Sequence, residues 1–146
     1  MQKNLMELID TVNSRHAKGV DFGTGHRLFP AEIHTLTAIE RDEGLTMTQL
    51  AHALTVSKPT VSERIRKLTT HGLITREKGP TDAKSVLLRL TDAGHIACQG
   101  HKALHEEMYD RFEAHFAEEA PEKIKQFTDT FTQLLTLAKS FDSHRT

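Results

Sequence analysis

Residues Thr46 to Gly72 read TMTQLAHALTVSKPTVSERIRKLTTHG, and the fold turns on them. Thr46 is placed as an N-cap and Gln49, three residues on, completes a capping box. Met47, Leu50, Ala51 and Leu54 share one face of the helix that follows. A tight turn at Thr55-Val56 leads into a second helix with Ser57 as N-cap and Pro59 in its first turn, where a missing N–H breaks no bond. Val61, Ile65 and Leu68 form its inner stripe, and Gly72 ends it as a left-handed cap. The outer face is left with Lys58, Thr60, Ser62, Glu63, Arg64 and Lys67: short hydroxyl donors near the N-terminus, cations further along. That pattern is a helix-turn-helix with a recognition helix suited to a major groove.

Working outward, LITREKGPTDAKSVLLRL contains two short β-prone runs, 73–78 and 86–90, joined by a loop with Gly79-Pro80 and with Asp82 and Lys84 at its tip. A hairpin directly after a recognition helix is a wing, whose tip reaches an adjacent minor groove with a cation. Thr91 caps a long helix that runs to just before Ala120-Pro121, with Ala97, Leu104, Met108, Phe112 and Phe116 inward. A last helix from Pro121 carries Ile124, Phe127, Phe131, Leu134, Leu135 and Ala138 close to a heptad seam. Upstream, Leu5, Leu8, Ile9 and Val12 mark a first helix, followed by the loop FGTG. Pro30 opens a second helix, with Ile33, Leu36 and Ile39 inward and Gly44 closing it. The expected architecture is mainly α with a small β-hairpin wing: a dimerisation helix and loop over 1–29, a winged helix-turn-helix over 30–90 and dimerisation helices over 91–146. The long flanking helices have more apolar face than the small winged module covers, so a homodimer is the natural burial, and a two-fold dimer suits a palindromic operator on double-stranded DNA.

Composition narrows the function. A chain of 146 residues buries a core without disulfides, and its single cysteine excludes an internal one. No apolar run approaches twenty residues and no charged-then-apolar leader is present, which reads as a soluble cytoplasmic protein with no membrane partner. Net charge is only −1, but it is unevenly distributed. Between Lys58 and Arg89 eight basic residues face three acidic ones, leaving +5 there and −6 elsewhere, and phosphate binding responds to the local field. With one tyrosine and no tryptophan, there is no aromatic platform for stacking bases. There is no HExxH, no Gly-flanked serine nucleophile and no phosphate loop, so an enzyme is not indicated.

Ten histidines is a high count. His101 and His105 stand at i and i+4 on the long helix, on the stripe of Leu104, Met108 and Phe112, so two imidazoles within an apolar stripe need partners. Water and backbone satisfy them, or a metal does, HxxxH on a helix being good ligand spacing. His34 lies in the second helix beside its apolar face. Cys98, between Ala97 and Gln99 with no fixed cation beside it, reads as a small core residue.

The order of elements resembles the MarR family of bacterial transcription regulators. The carrying residues are LAHALTVSKPTVSERIRKL, HGLITRE entering the wing, DAK at its tip and LTDAG opening the long helix, covering about 30 to 118. The resemblance implies a winged-helix homodimer that controls nearby genes, with DNA affinity set by a small ligand or by oxidation. It assigns Lys58, Thr60, Ser62, Arg64 and Lys67 to groove or phosphate contacts and Lys84 to the wing tip, the list that exposure and charge also give. Thr55 stands where the family usually has glycine, and Lys84 where it usually has arginine, a point charge replacing a planar fork. A zinc-responsive branch of the family binds metal through one histidine of helix two, an HxxxH pair on helix five and a carboxylate from the end of helix one. His34, His101 and His105 align with the first three, and His16 holds the fourth place, with Asp21 and His26 as alternatives. Zinc or another first-row divalent metal is then the expected effector. The alternative is an organic acid or phenolic ligand in the crevice between dimer helices and winged module, with structural histidines.

Overall fold

The computed structural model of the chain describes residues 2–16, 18–78 and 86–142. In chain order the elements are α1 (Gln2–His16), β1 (Val20–Asp21), β2 (Arg27–Leu28), α2 (Pro30–Arg41), α3 (Met47–Ala53), α4 (Lys58–Thr70), β3 (Ile74–Lys78), β4 (Val86–Leu90), α5 (Asp92–Phe116) and α6 (Pro121–Asp142). The chain divides into two compact units, Met1–Leu104 and His105–Thr146.

In the first unit one core serves α2, α3, α4 and the wing. Leu36 and Ile39 of α2, Leu50 of α3, Val61, Ile65 and Leu68 of α4, Leu73, and Leu88 of β4 are all fully buried. The caps form as the sequence predicts. The Thr46 hydroxyl accepts from the Gln49 N–H at 3.3 Å while Gln49 Oε1 accepts from the Thr46 N–H at 2.9 Å, and Ser57 Oγ accepts from the Thr60 N–H at 3.3 Å. The turn between α3 and α4 puts Thr55 at φ 54°, a left-handed conformation that a β-branched residue adopts only under strain, and Gly72 ends α4 at φ 70°. The wing strands pair antiparallel from Ile74↔Leu90 to Lys78↔Val86, and the Leu88 N–H donates to the Leu45 carbonyl at 3.2 Å, tying β4 to the entrance of α3.

Two departures from the sequence reading position the site. The FGTG stretch is the tip of a hairpin, with Val20 opposite Leu28 and Asp21 opposite Arg27. Two-residue strands show no alternation to read. What organises the tip is a single carboxylate oxygen, Asp21 Oδ1, which accepts from the N–H groups of Gly23, Thr24 and Gly25 at 3.0, 2.9 and 3.1 Å. The stripe expected inward on α5 also divides. Ala97 is buried in the core, but Leu104, Met108 and Phe112 remain 46, 41 and 54% exposed within a single chain. In the second unit Phe127 of α6 lies 5.4 Å from Phe116 and 5.6 Å from Phe131 between ring centres, yet Ile124, Phe127, Phe131, Leu134 and Leu135 all keep large exposed surfaces.

The start of α5 is fixed to the end of α4 by one residue. The Thr91 hydroxyl donates to the Gly72 carbonyl at 2.6 Å and accepts from the Gly94 N–H at 3.1 Å, and the Thr91 N–H donates to the Leu73 carbonyl at 3.1 Å. Gly94 lets α5 lie against that same Leu73 carbonyl, and Gly100 lets the β1–β2 hairpin sit on the helix, since a Cβ there would stand 2.7 Å from the Phe22 carbonyl oxygen. Both clashes are with backbone, which cannot rotate away. Gly94→Ala is therefore expected to destabilise the protein by about 1–3 kcal/mol from overpacking, exceeding the gain of about 1 kcal/mol in helix propensity. Thermal unfolding measures the sign: an unchanged or raised midpoint contradicts the close approach.

Candidate nucleic-acid interface and histidine cluster

Burial of Val61, Ile65 and Leu68 leaves the opposite side of α4 to solvent, where Lys58, Ser62, Glu63 and Arg66 are exposed and Thr60 and Arg64 half-buried. Thr60 Oγ1 and Ser57 Oγ lie 2.7 Å apart, so the first turn presents a linked pair of hydroxyls beside the first N–H groups of the helix. Ahead of that turn, Thr48, His52, Thr55, Ser57 and Lys58 line an open concavity between α3 and α4. Thr48, His52 and Thr55 went unassigned in the sequence because α3 shows a polar face at that spacing in almost any soluble helix. Only the packing of α3 across α4 brings them beside Lys58. Such a surface, with hydroxyls, a lysine and a helix N-terminus converging, is chemically fit for phosphate oxygens.

Lys67 has a different place from the one its charge suggests. Its ammonium pairs with Glu32 of α2, whose side chain is buried, and sits 5.2 Å over the Phe29 ring. The second oxygen of Glu32 accepts from the Phe29 N–H at 2.9 Å, closing the start of α2. Lys67 thus compensates a buried carboxylate and fixes α4 against α2. At the wing, Arg89 donates to Glu77 at 2.7 Å and to Glu43 at 3.1 Å, so part of the local positive charge is spent across the hairpin. Lys84 lies outside the described residues, as does the side chain of His16.

Of the predicted metal ligands, the structure brings two together. The His34 and His101 rings lie edge to face with centroids 5.6 Å apart, and Phe22 of the β1–β2 hairpin stands edge-on to His101 at 5.4 Å. His105 follows one turn later on α5, with Tyr109 beside it at 6.3 Å. Among the described residues no three His, Cys, Asp or Glu side chains are grouped to hold one ion. A different pair is the more intimate: His26 and His71 stack face to face, a contact between residues 45 positions apart that no local spacing encodes.

Cys98 is buried, as expected of a core residue. Burial first, then the charge and hydrogen bond of Glu40, push its thiol up to about 12. At neutral pH roughly one molecule in 10⁵ carries a thiolate at such a value. Native protein should accordingly resist iodoacetamide at neutral pH while the urea-unfolded chain reacts freely. Rapid labelling of the native protein overturns this reading of Cys98 as an inert core residue.

The fold and the outer face of α4 define a winged helix-turn-helix protein of the transcription-regulator class, and among the described residues no helix is long and apolar enough to cross a membrane. The chain belongs to the MarR family: the family model matches residues 28–86, and YhjH, an HTH-type transcriptional regulator of Bacillus subtilis, is 31% identical over 117 residues, 80% of this chain and 67% of its own length. A second HTH-type regulator of that organism, YvnA, is 29% identical over 100 residues, 68% of this chain and 64% of its own length, so the chain spans about two thirds of these curated relatives. Among solved structures, Streptococcus pneumoniae FabT in complex with DNA superposes with a TM-score of 0.72 at 22% identity, covering 96% of each chain. The zinc-responsive MarR family member ZitR of Lactococcus lactis gives 0.65 at 20% identity, covering 92% of this chain and 99% of that one. At these identities the superpositions speak for the fold. Members of the family are transcriptional regulators, not enzymes.

Proposed function

We propose that the protein is a DNA-binding transcriptional repressor that sits as a homodimer on a palindromic operator, with its DNA affinity modulated by a divalent metal bound by histidines. The observation that carries the DNA reading is the two-sidedness of α4: its apolar stripe is fully buried while its hydroxyls and cations face out beside the concavity of α3. In this reading Ser62 and Arg64 reach base edges, Lys58 and Thr60 take phosphates, Lys84 enters the minor groove, and Lys67 acts by holding α4 rather than by touching DNA. The exposed apolar side chains of α1, α5 and α6 supply the dimer surface, and the dimer sets two recognition helices one helical turn apart, about 34 Å. A dimer neutralising about six to ten phosphates loses affinity by roughly 10³–10⁵ between about 50 and 200 mM salt. Fluorescence anisotropy with a duplex selected in vitro from a random library should show that slope, and Lys58→Ala should lessen it. Weak binding with little salt dependence sinks the DNA reading.

The metal reading is supported by the meeting of His34 and His101, with His105 one turn further along α5 and His16 at the end of α1. Imidazole nitrogens suit zinc and also its first-row neighbours. A bound cation would cross-link α2 to α5, and differential affinity for the DNA-competent arrangement would then shift operator binding. Two of these rings already approach, so the remaining donors decide the matter. Elemental analysis of protein equilibrated with mixed first-row divalent metals and desalted should find about one metal per subunit in the wild type and none in His101→Ala/His105→Ala. Two empty proteins make the histidines structural and return the effector to an organic ligand.

A further inference from the structure

Among the cations of the recognition helix, Lys67 has a buried carboxylate for a partner. Glu32, in the first turn of α2, is the only buried acidic residue among those described, with 9% of its side chain exposed. It is held from two sides: one oxygen pairs with the Lys67 ammonium, and the other accepts from the Phe29 N–H at 2.9 Å. The Phe29 ring lies 5.2 Å from the same ammonium. The acids that face Arg89 at the wing, Glu77 and Glu43, are by contrast 52 and 65% exposed, so Arg89 can leave them for a phosphate at little cost. Lys67 is otherwise well placed to meet DNA. It follows Thr60, Glu63 and Arg64 on α4 at seven, four and three residues, the spacing of neighbours on one helix face, and 41% of its side chain is open to solvent.

We propose that Glu32 is a specificity-determining residue for DNA: by holding the Lys67 ammonium it keeps a phosphate contact out of the interface, and so weakens binding to arbitrary duplex relative to the operator. The inference rests on the DNA-binding reading above.

Specificity is a difference between two affinities, and a cation on the phosphate backbone carries no sequence information. Each such contact that a recognition helix makes on arbitrary DNA raises the background against which the operator competes. Lysine makes these contacts readily, because its flexible stem carries the ammonium to whichever oxygen is near. Lys67 can do so only by leaving Glu32. The carboxylate would then stand buried with its charge uncompensated, and it cannot follow the lysine outward, since its second oxygen closes the start of α2. A solvated contact to phosphate returns less than that loss, so the ammonium stays where it is. The same pair ties α4 to α2, the helix from which Ser62 and Arg64 are presented. Glutamine at position 32 fills the same volume and still accepts from the Phe29 N–H, but has no charge with which to keep Lys67.

Two duplexes give the measurement, the one selected in vitro and a scrambled duplex of the same length and composition, each titrated over about 50 to 200 mM salt. On the scrambled duplex Glu32→Gln should bind more tightly than the wild type. Its dependence of log affinity on log salt should steepen by about 1.8, one added phosphate in each protomer of the dimer at about 0.9 apiece. The gain over wild type then grows about tenfold as salt falls from about 200 to about 50 mM. On the selected duplex the gain should be smaller, because loosening α4 from α2 weakens the base contacts there, so the ratio of selected to scrambled affinity falls. Glu32→Gln/Lys67→Met, which lacks both charges, should return the scrambled-duplex slope to the wild-type value, and Lys67→Met alone should leave it there. A merely structural carboxylate gives a different result: its loss weakens both duplexes together with no steeper slope. That result overturns the assignment, as does a Lys67→Met variant whose scrambled-duplex slope falls by about 1.8, since Lys67 would then already meet phosphate in the wild type. Should the variants fail to fold, the wild type decides. Its Lys67 ammonium resonance should keep its free-protein position when scrambled duplex is added while that of Lys58 moves, and a Lys67 shift as large as that of Lys58 overturns the assignment. A wild type that binds neither duplex with a salt slope ends the DNA reading and this inference with it; one that binds while Glu32→Gln keeps the wild-type slope ends this inference alone.

Discussion

The orientation of α4 is the constraint on which the rest depends. Its three inner side chains, Val61, Ile65 and Leu68, have no exposed surface, and a helix so seated cannot roll without opening the core shared with α2, α3 and β4. Burial alone fixes rotation about the helix axis more firmly than it fixes tilt. Tilt is governed at the ends: by the Ser57 cap and the strained Thr55 turn at one, and by the Glu32–Lys67 pair, the His26–His71 stack and the Thr91 joint at the other. The polar contacts are arranged where the apolar core has least leverage.

This division explains what was legible in the sequence. The helix-turn-helix was readable because caps and 3.6-residue periodicity are local properties: Thr46 with Gln49, Ser57 with Thr60, and the stripe of α4 all lie within four residues of their partners. The wing registered too, because two β-prone runs lie close in sequence on either side of a Gly-Pro loop. The β1–β2 hairpin did not, since four residues of strand carry no pattern and the Asp21 turn depends on backbone N–H groups that composition does not display. Lys67 shows a different limit of the local pattern. A helical step of 100° places it with the outer face, and which way its side chain turns depends on whether a buried carboxylate waits on the neighbouring helix. Glu32 is that carboxylate, 35 residues upstream. Charge counted along the chain therefore does not show which cations already face a carboxylate.

The two long helices pose the opposite case, in which side chains at the spacing of an inner stripe lie exposed in the single chain. Leu104, Met108 and Phe112 have the spacing of an inner stripe and lie exposed; so do Phe127, Phe131 and Leu134 of α6. Scattered exposed leucines need no explanation, but rows at helical spacing on elements of 25 and 22 residues do. In the homodimer proposed above, a second copy would offer the same rows in return, and an isologous contact needs no further partner.

The β1–β2 hairpin is the smallest element and touches the most consequential places. On one side Phe22 rests on Gly100 and meets His101 edge-on; a few residues further, past the Asp21 turn, His26 stacks on the end of the recognition helix. Its turn is rigid, because one carboxylate oxygen takes three successive amides, so a displacement at Phe22 is not easily absorbed before His26. A displacement of His101 would therefore reach the His26–His71 stack through a few packed residues, and a displacement of that stack would act back on His101 by the same free energy. The contact at Gly100 leaves no room for even one additional methyl group, so Phe22 and α5 move together.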